Sequence, residues 1–226
     1  MRNIRVFQGT LILLLAVVGA IVGATKGGDF QIFFYGISTA VSEPHLTYAP
    51  LDKPIYFLYG PVFLALAYPL SWFSFSSAKA VWIAFECLSY LGLWILLGRF
   101  FPRVGEKRWV WFWAFVFLIN PVHSNFQWLN IQVPLLTASL LAYGLCETDK
   151  PLLHRCAGVL CAIAGAIKIY PFFLLVFLGV TGKRAFRQGV VAGILFSLAF
   201  PFVVFGWNDG WTLYRGFFEN LTRVGN

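Results

Sequence analysis

Apolar residues gather along this chain in blocks of helical length. Val6–Ala24, Ile55–Phe75, Ala80–Leu97, Trp109–Asn120, Ile131–Cys146 and Gln188–Phe205 read as runs able to cross about 30 Å of hydrocarbon, and Cys156–Ile167 and Phe172–Gly182 are shorter. The pattern predicts about eight helical membrane segments, with the two short ones as half-helices. Arg2 and Arg5 ahead of the first block resemble the start of a signal peptide, but the block is longer than a signal core and a membrane protein follows, so it reads as an uncleaved anchor. The longest polar connection is 25–54. Within it Phe30, Phe33, Phe34, Ile37 and Val41 recur at helical spacing, with Gln31, Ser38, Thr39 and Ser42 between them. This predicts an amphipathic helix lying in the membrane interface and ended by Pro44.

Composition agrees with a polytopic membrane protein. Hydrophobic residues make up 59% and charged residues 12%, against roughly 25% charged in a soluble domain. The net charge of +8 therefore points to basic loops beside anionic headgroups and not to nucleic acid. Cys87, Cys146, Cys156 and Cys161 lie in or beside apolar blocks without metal-ligand spacing, and they read as core residues. The positive-inside rule places the N-terminus in the cytoplasm and the 25–54 loop outside. The basic loops Arg99–Arg108, Glu147–Arg155 and Lys183–Arg187 favour the inside as well. Two full crossings between Pro54 and Gly98 would put the first of them outside, so one crossing is incomplete or that loop breaks the rule.

Lys168 is the strongest chemical signal, because an ammonium inside an apolar run costs several kcal/mol unless an anion or a watery cavity meets it. Tyr170-Pro171 follows it and breaks the run, as expected of a re-entrant pair with Lys168 near its tip. The segment from Pro121 to Asn130, with Gln132 and Pro134 after it, is polar and proline-broken, and irregular backbone at that depth lines protein or water. Asp29 follows Lys26-Gly27-Gly28 at the start of the amphipathic helix, where the helix dipole favours an ionised carboxylate. It reads equally as a cap and as a general base. Glu86 is the acid well within a span and reads as structural, paired with a cation such as Lys168 or facing the interface near Trp82. His123 at a helix end reads as a hydrogen-bonded interface residue or a proton shuttle. No carboxylate pair or His cluster has metal-ligand spacing.

Several of these elements occur, in order, in one family. Asp29-Phe30 followed by aromatics, Tyr59-Gly60-Pro61 with Tyr68-Pro69-Leu70, Asn130-Ile131-Gln132-Val133-Pro134 and Ala166-Ile167-Lys168-Ile169-Tyr170-Pro171 resemble motifs of the GT-C superfamily of membrane glycosyltransferases, most closely glycosyltransferase family 87 of the polyprenol-phosphate-mannose-dependent type. The third of these departs from the family pattern, lacking its glycine and carrying proline in the asparagine position. The resemblance covers nearly the whole chain. Typical members are longer, so it implies a single transmembrane module over 1–226, with external loops at 25–54 and 207–226, corresponding to the N-terminal part and completed by a C-terminal helical portion or partner subunit.

What the resemblance implies is an all-α, GT-C-like, multi-pass protein of the plasma (inner) membrane, active on its external or periplasmic side. The donor would be a polyprenyl-phosphate sugar, by family default polyprenyl-phosphate-mannose, serving as substrate with no further cofactor, and the acceptor a glycolipid or glycan. Asp29 would be the catalytic base. Lys168 would bind the donor phosphate with Lys53 or Tyr170, Asn130 and Gln132 would hydrogen-bond sugar hydroxyls, and Tyr59 and His123 join the candidate substrate-binding set. Asp52 and Glu43 are the next acids in the same loop. Two other classes compete: a polytopic transporter or flippase for an anionic lipid, and a non-catalytic membrane subunit.

Overall fold

The computed structural model describes residues 2–49, 59–100, 120, 123–168, 171, 173, 176 and 183–224, with backbone alone for 2–9, 11 and 12. Among these residues the regular structure is helical. The elements are α1 (Arg2–Thr25), α2 (Gly28–Ser42), α3 (Pro61–Ala67), α4 (Phe75–Phe100), α5 (Gln132–Cys146), α6 (Pro151–Ile167), α7 (Arg184–Phe205) and α8 (Trp207–Val224), with short 3-10 turns at Pro44–Leu46 and Tyr68–Trp72 and a helical segment at 123–128. They fall into two compact units. The first comprises Met1–Phe30 and Lys79–Gly144, the second Gln31–Ala78 and Leu145–Asn226.

Two described helices, α4 and α7, are each long and apolar enough to span a membrane, and α1 with α2 passes the same test if taken as one broken span. Pro61–Trp72, Gln132–Cys146 and Pro151–Ile167 are apolar but shorter. The block expected as a crossing over 55–75 differs most from expectation. Its described part is a seven-residue α-helix followed by a 3-10 turn begun by Tyr68-Pro69, together about 20 Å long against the roughly 30 Å of hydrocarbon. Pro61 fits the first turn of α3, where its missing N–H is harmless, whereas Pro69 cannot continue the helix. The blocks at 109–120 and 172–182 lie largely outside the described residues.

In the first unit, small residues let backbones close in. Gly19, Gly23 and Gly27 recur every four residues, so they share one face of α1 and its C-terminal extension. A Cβ on Gly19 would enter the Phe126 ring, and on Gly23 it would stand 2.9 Å from Leu129 Cδ2. Tyr90 stacks on the other side of Phe126 with ring centroids 5.0 Å apart. The Thr137 hydroxyl ties α5 to α4 by donating to the Ser89 carbonyl at 2.9 Å.

The second unit is built on a still closer crossing of α6 and α7. Cβ atoms on Gly158, Gly189 and Gly193 would collide with the facing helix backbone at Phe186–Val190, Arg155 and Val159 respectively, the small-residue contact by which apolar helices associate when water supplies no driving force. Pro201 interrupts α7 and leaves the Ser197 carbonyl without its N–H partner four residues on. Tyr214 of α8 replaces that donor, its hydroxyl reaching Ser197 O at 2.9 Å and Leu198 O at 3.1 Å. Burial pushes the Tyr214 phenol up to about 12. The 207–226 segment expected as an external loop is thus helical through Val224, and α8 presents Trp207, Trp211, Phe218 and Leu221 outward along one stripe.

The expected amphipathic helix is α2, and it stops at Ser42 before Pro44 begins the 3-10 turn. Phe30, Phe33, Ile37 and Ala40 are buried, whereas Val41 is exposed. Its apolar face is packed within protein, beyond what lying on an interface alone would give.

Candidate functional site

In the first unit the chain leaves α1 at Thr25, turns through Lys26-Gly27 and enters α2 at Gly28, so Asp29 stands inside the first helical turn. Gly27 adopts φ 67°, a conformation natural to glycine, and its N–H donates to Gln127 O at 2.9 Å. The last carbonyls of α1 lack helical donors, and Lys79 at the start of α4 supplies them. Its Nζ donates to Ala24 O at 2.8 Å and Lys26 O at 3.1 Å, a cation meeting the negative end of a helix dipole.

Against this turn lies the segment expected to be irregular, whose described residues form a short helix before the chain breaks at Leu129 and Asn130. Residues 123–128 are helical, Leu129 takes φ 53°, and Asn130 follows outside regular structure. The indole N–H of Trp82 donates to Leu129 O at 3.0 Å. Asn130 is thereby brought to Asp29, its Nδ2 donating to Asp29 Oδ2 at 2.6 Å across 101 residues of sequence. A hydrogen bond to a carboxylate contributes about 1.5–3 kcal/mol and favours the ionised form. Asp29 is thus half-buried, in the first turn of a helix and bound by an amide.

Glu86 lies one turn along α4 from Trp82, is fully buried, and accepts from Asn125 Nδ2 at 3.0 Å. Its expected structural role fits this hydrogen bond, made to an amide where the sequence had suggested a cation. His123 is exposed at the start of 123–128, and Gln132 is exposed in the first turn of α5.

In the second unit α6 ends at Ile167, and Lys168 is its extended C-cap, with φ −144°, ψ 146° and its N–H returned to Ala164 O at 3.1 Å. The break expected from Pro171 thus begins at the lysine itself. A cation there again faces the favourable end of a helix dipole. Lys168 Nζ stands over the Tyr59 ring, 5.5 Å from its centroid. The ring is held in turn: Phe33 meets it edge-on at 4.9 Å, Phe63 packs at 4.8 Å, and the Tyr48 hydroxyl donates to Tyr59 O at 2.9 Å. Burial raises the Tyr48 phenol well above its ordinary range, so this donor is permanent. Beside Tyr59, a Cβ on Gly60 would stand 3.3 Å from Ala166 O, which shows how closely this loop meets the end of α6. A ring face attracts a cation by about 0.5–2 kcal/mol without neutralising its charge.

Lys53, Tyr170 and Asp52 lie outside the described residues. Of the remaining candidates, Asp29 and Asn130 come together in the first unit, and Lys168 and Tyr59 in the second. Lys79, Trp82 and Leu129 support the Asp29 turn and went unnoticed as site residues in the sequence. A lone lysine ahead of an apolar block looks like a membrane flank, and only the fold shows that it caps α1.

The sequence model of glycosyltransferase family 87 matches residues 57–226, most of the chain, and so includes Tyr59, Asn130, Gln132 and Lys168 and begins beyond Asp29. Neither the search of characterised proteins nor that of solved structures returned a match. On that family match, and with its apolar membrane-length helices, the chain belongs to glycosyltransferase family 87 and is a membrane glycosyltransferase of the GT-C type.

Proposed function

We propose that the chain transfers a sugar, mannose by family default, from a polyprenyl-phosphate donor to a hydroxyl of a lipid-linked or glycan acceptor at the external face of the plasma membrane. The observation that carries this reading is the Asp29 carboxylate, fixed by Asn130 in the first turn of α2 within a chain of this family.

In the proposed reaction Asp29 takes the proton of the acceptor hydroxyl as its oxygen attacks the anomeric carbon. The bond from that carbon to the phosphate oxygen breaks, and its electron pair leaves with the polyprenyl phosphate. Lys168 binds that phosphate and stabilises the charge growing on it. The Tyr59 ring lies beneath the Lys168 ammonium, 5.5 Å from its centroid, an attraction that leaves the positive charge in place.

The topology of the proposal follows from helix lengths. Pro61–Trp72 is too short to cross, so α4 is the one complete crossing between Tyr59 and Arg99. A short 61–72 element supports the reading in which the 25–54 loop lies outside and the basic loop after Arg99 inside, as the charge pattern favours.

The test is transfer of radiolabelled sugar by the purified chain in proteoliposomes. Polyprenyl-phosphate-mannose and a nucleotide-linked mannose are offered separately. Product from the lipid-linked donor alone is the expected result. Transfer from the nucleotide sugar with none from the lipid-linked one overturns the donor assignment.

A further inference from the structure

We infer that Asn130 is a positioning residue: its amide sets the plane of the Asp29 carboxylate from which the acceptor proton is taken. This rests on reading Asp29 as the base, and it replaces the sugar-binding role that resemblance gave to Asn130.

The geometry shows a residue placed with care. Leu129, just before Asn130, is the one described non-glycine residue with positive φ, and a leucine held left-handed brings its Cβ against the following carbonyl. Such strain persists only where surrounding structure over-determines it, and it clusters where a side chain must be aimed. Here the surroundings are explicit. Trp82 binds the Leu129 carbonyl, Gly27 binds the Gln127 carbonyl, and Asn130 N–H returns to Asn125 O at 3.3 Å. The Leu129 side chain is fully buried, and Cβ atoms on Gly23 or Gly27 would stand 2.9 Å from its methyl groups. The Gly27 hydrogen bond and the packing of Leu129 against Gly23 and Gly27 therefore bind the backbone that carries Asn130 to the turn that carries Asp29, and the Trp82 hydrogen bond ties the same backbone to α4.

The charged and titratable groups on the neighbouring elements are Lys26 in the turn, Tyr35 on α2, Lys79, Glu86, Cys87, Tyr90 and Arg99 on α4, and His123 on 123–128. Lys79 is engaged by the carbonyls of Ala24 and Lys26, and Glu86 by Asn125. The Asn130 amide meets the carboxylate itself. A donor at 2.6 Å on one carboxylate oxygen fixes the torsion of the group and favours its charged form.

The experiment uses the full chain in proteoliposomes with the donor that supports transfer. Asn130→Ala removes the donor. Asn130→Leu removes it at nearly constant volume and without adding a charge, which guards against a folding failure of the first variant, and Asn130→Ser restores a shorter donor. The expected result for the first two is a kcat about 10- to 100-fold lower with donor KM little changed. The acid limb of the kcat profile moves up by about one pH unit, because the lost hydrogen bond no longer favours the carboxylate. Asn130→Ser recovers part of both. In an Asp29→Asn background, Asn130→Ala should cost almost nothing further, the signature of two residues acting as one.

Three outcomes overturn the inference and separate its failure from that of the base assignment. Unchanged kcat and acid limb in the Asn130 variants, with Asp29→Asn inactive, leaves the base standing and removes the positioning role. A raised KM at unchanged kcat makes Asn130 a sugar ligand. Near-normal turnover by Asp29→Asn removes both ideas at once.

Discussion

Asp29 and Lys168 carry opposite charges at opposite kinds of helix end, and the two are held by different physics. The acid stands in the first turn of α2 and the cation at the C-cap of α6, so each meets the favourable pole of its helix. Asp29 is gripped by a directional hydrogen bond from Asn130, inside a turn that Lys79 and Trp82 brace. Lys168 rests on the face of Tyr59, an attraction with little angular demand. The contrast suits the proposed roles. A base must be aimed to within a few tenths of an ångström of a proton, whereas an ammonium that binds phosphate acts mainly through its charge.

The largest effect that can break this comparison lies on the acid side. Asp29→Asn keeps the shape and an oxygen for the Asn130 amide while removing the base, so folding should change little. Turnover in the sugar-transfer assay should fall by roughly 100- to 10,000-fold. If Asp29 served only to stabilise the helix start, the same variant would lose about 1 kcal/mol or less of stability and keep its activity. Measuring melting and transfer on one preparation decides between them, and retained turnover would shift attention to Glu43 and Asp52.

The cation side sharpens the comparison with an intermediate effect. Lys168→Met preserves length and removes the charge, so it should weaken binding of polyprenyl phosphate while insertion and folding persist. Lys168→Arg should be the milder change. Native mass spectrometry of the two variants with the lipid phosphate gives the answer directly. Unchanged affinity in the Met form would make Lys168 a structural residue seated on Tyr59.

Much of this contrast was legible in the sequence, and the missing parts share a cause. The α2 helix, its end before Pro44 and the place of Asp29 in its first turn all follow from local periodicity and capping chemistry. So does the break at Lys168, where a charge and a proline interrupt an apolar run. The partners were not legible. Asn130 lies 101 residues from Asp29, and nothing in either local pattern points to the other. The aromatic face under Lys168 was equally hidden, because Tyr59 is one of nine tyrosines in a chain rich in aromatics.

Two elements have a local structure that hydrophobicity alone did not suggest. The 55–75 block is apolar enough to span, yet its described part is a short helix begun by Pro61 and a turn containing Pro69, and an average over the run does not register that. The 207–224 stretch is too polar on average to suggest a membrane segment, so it read as a loop. Its apolar residues at 207, 211, 214, 218 and 221 nevertheless keep a helical period, and α8 is the result.

The smallest expected effect concerns the ring beneath the cation, and it tests whether Tyr59 matters as a surface or only as a filler. Tyr59→Phe keeps the ring face, so donor affinity should be little changed, apart from anything the hydroxyl contributes. Tyr59→Leu keeps an apolar side chain of moderate size and loses the face, which attracts a cation by about 0.5–2 kcal/mol. Without it the lysine must be ordered by the incoming phosphate itself, so part of the binding energy is lost to side-chain entropy. Affinity for polyprenyl phosphate should then fall about 2- to 10-fold, below the loss from Lys168→Met, and kcat should be less affected than donor KM. Tyr59 also packs against Phe33 and Phe63, so the Leu variant should melt earlier as well. The informative quantity is therefore the ratio of the two variants' affinities in the Lys168→Met background. If the ring acts through the cation, that ratio collapses toward one when the cation is gone. A ratio that survives intact would show that Tyr59 works through packing alone, and the acid and cation sides would then differ less than their geometry suggests.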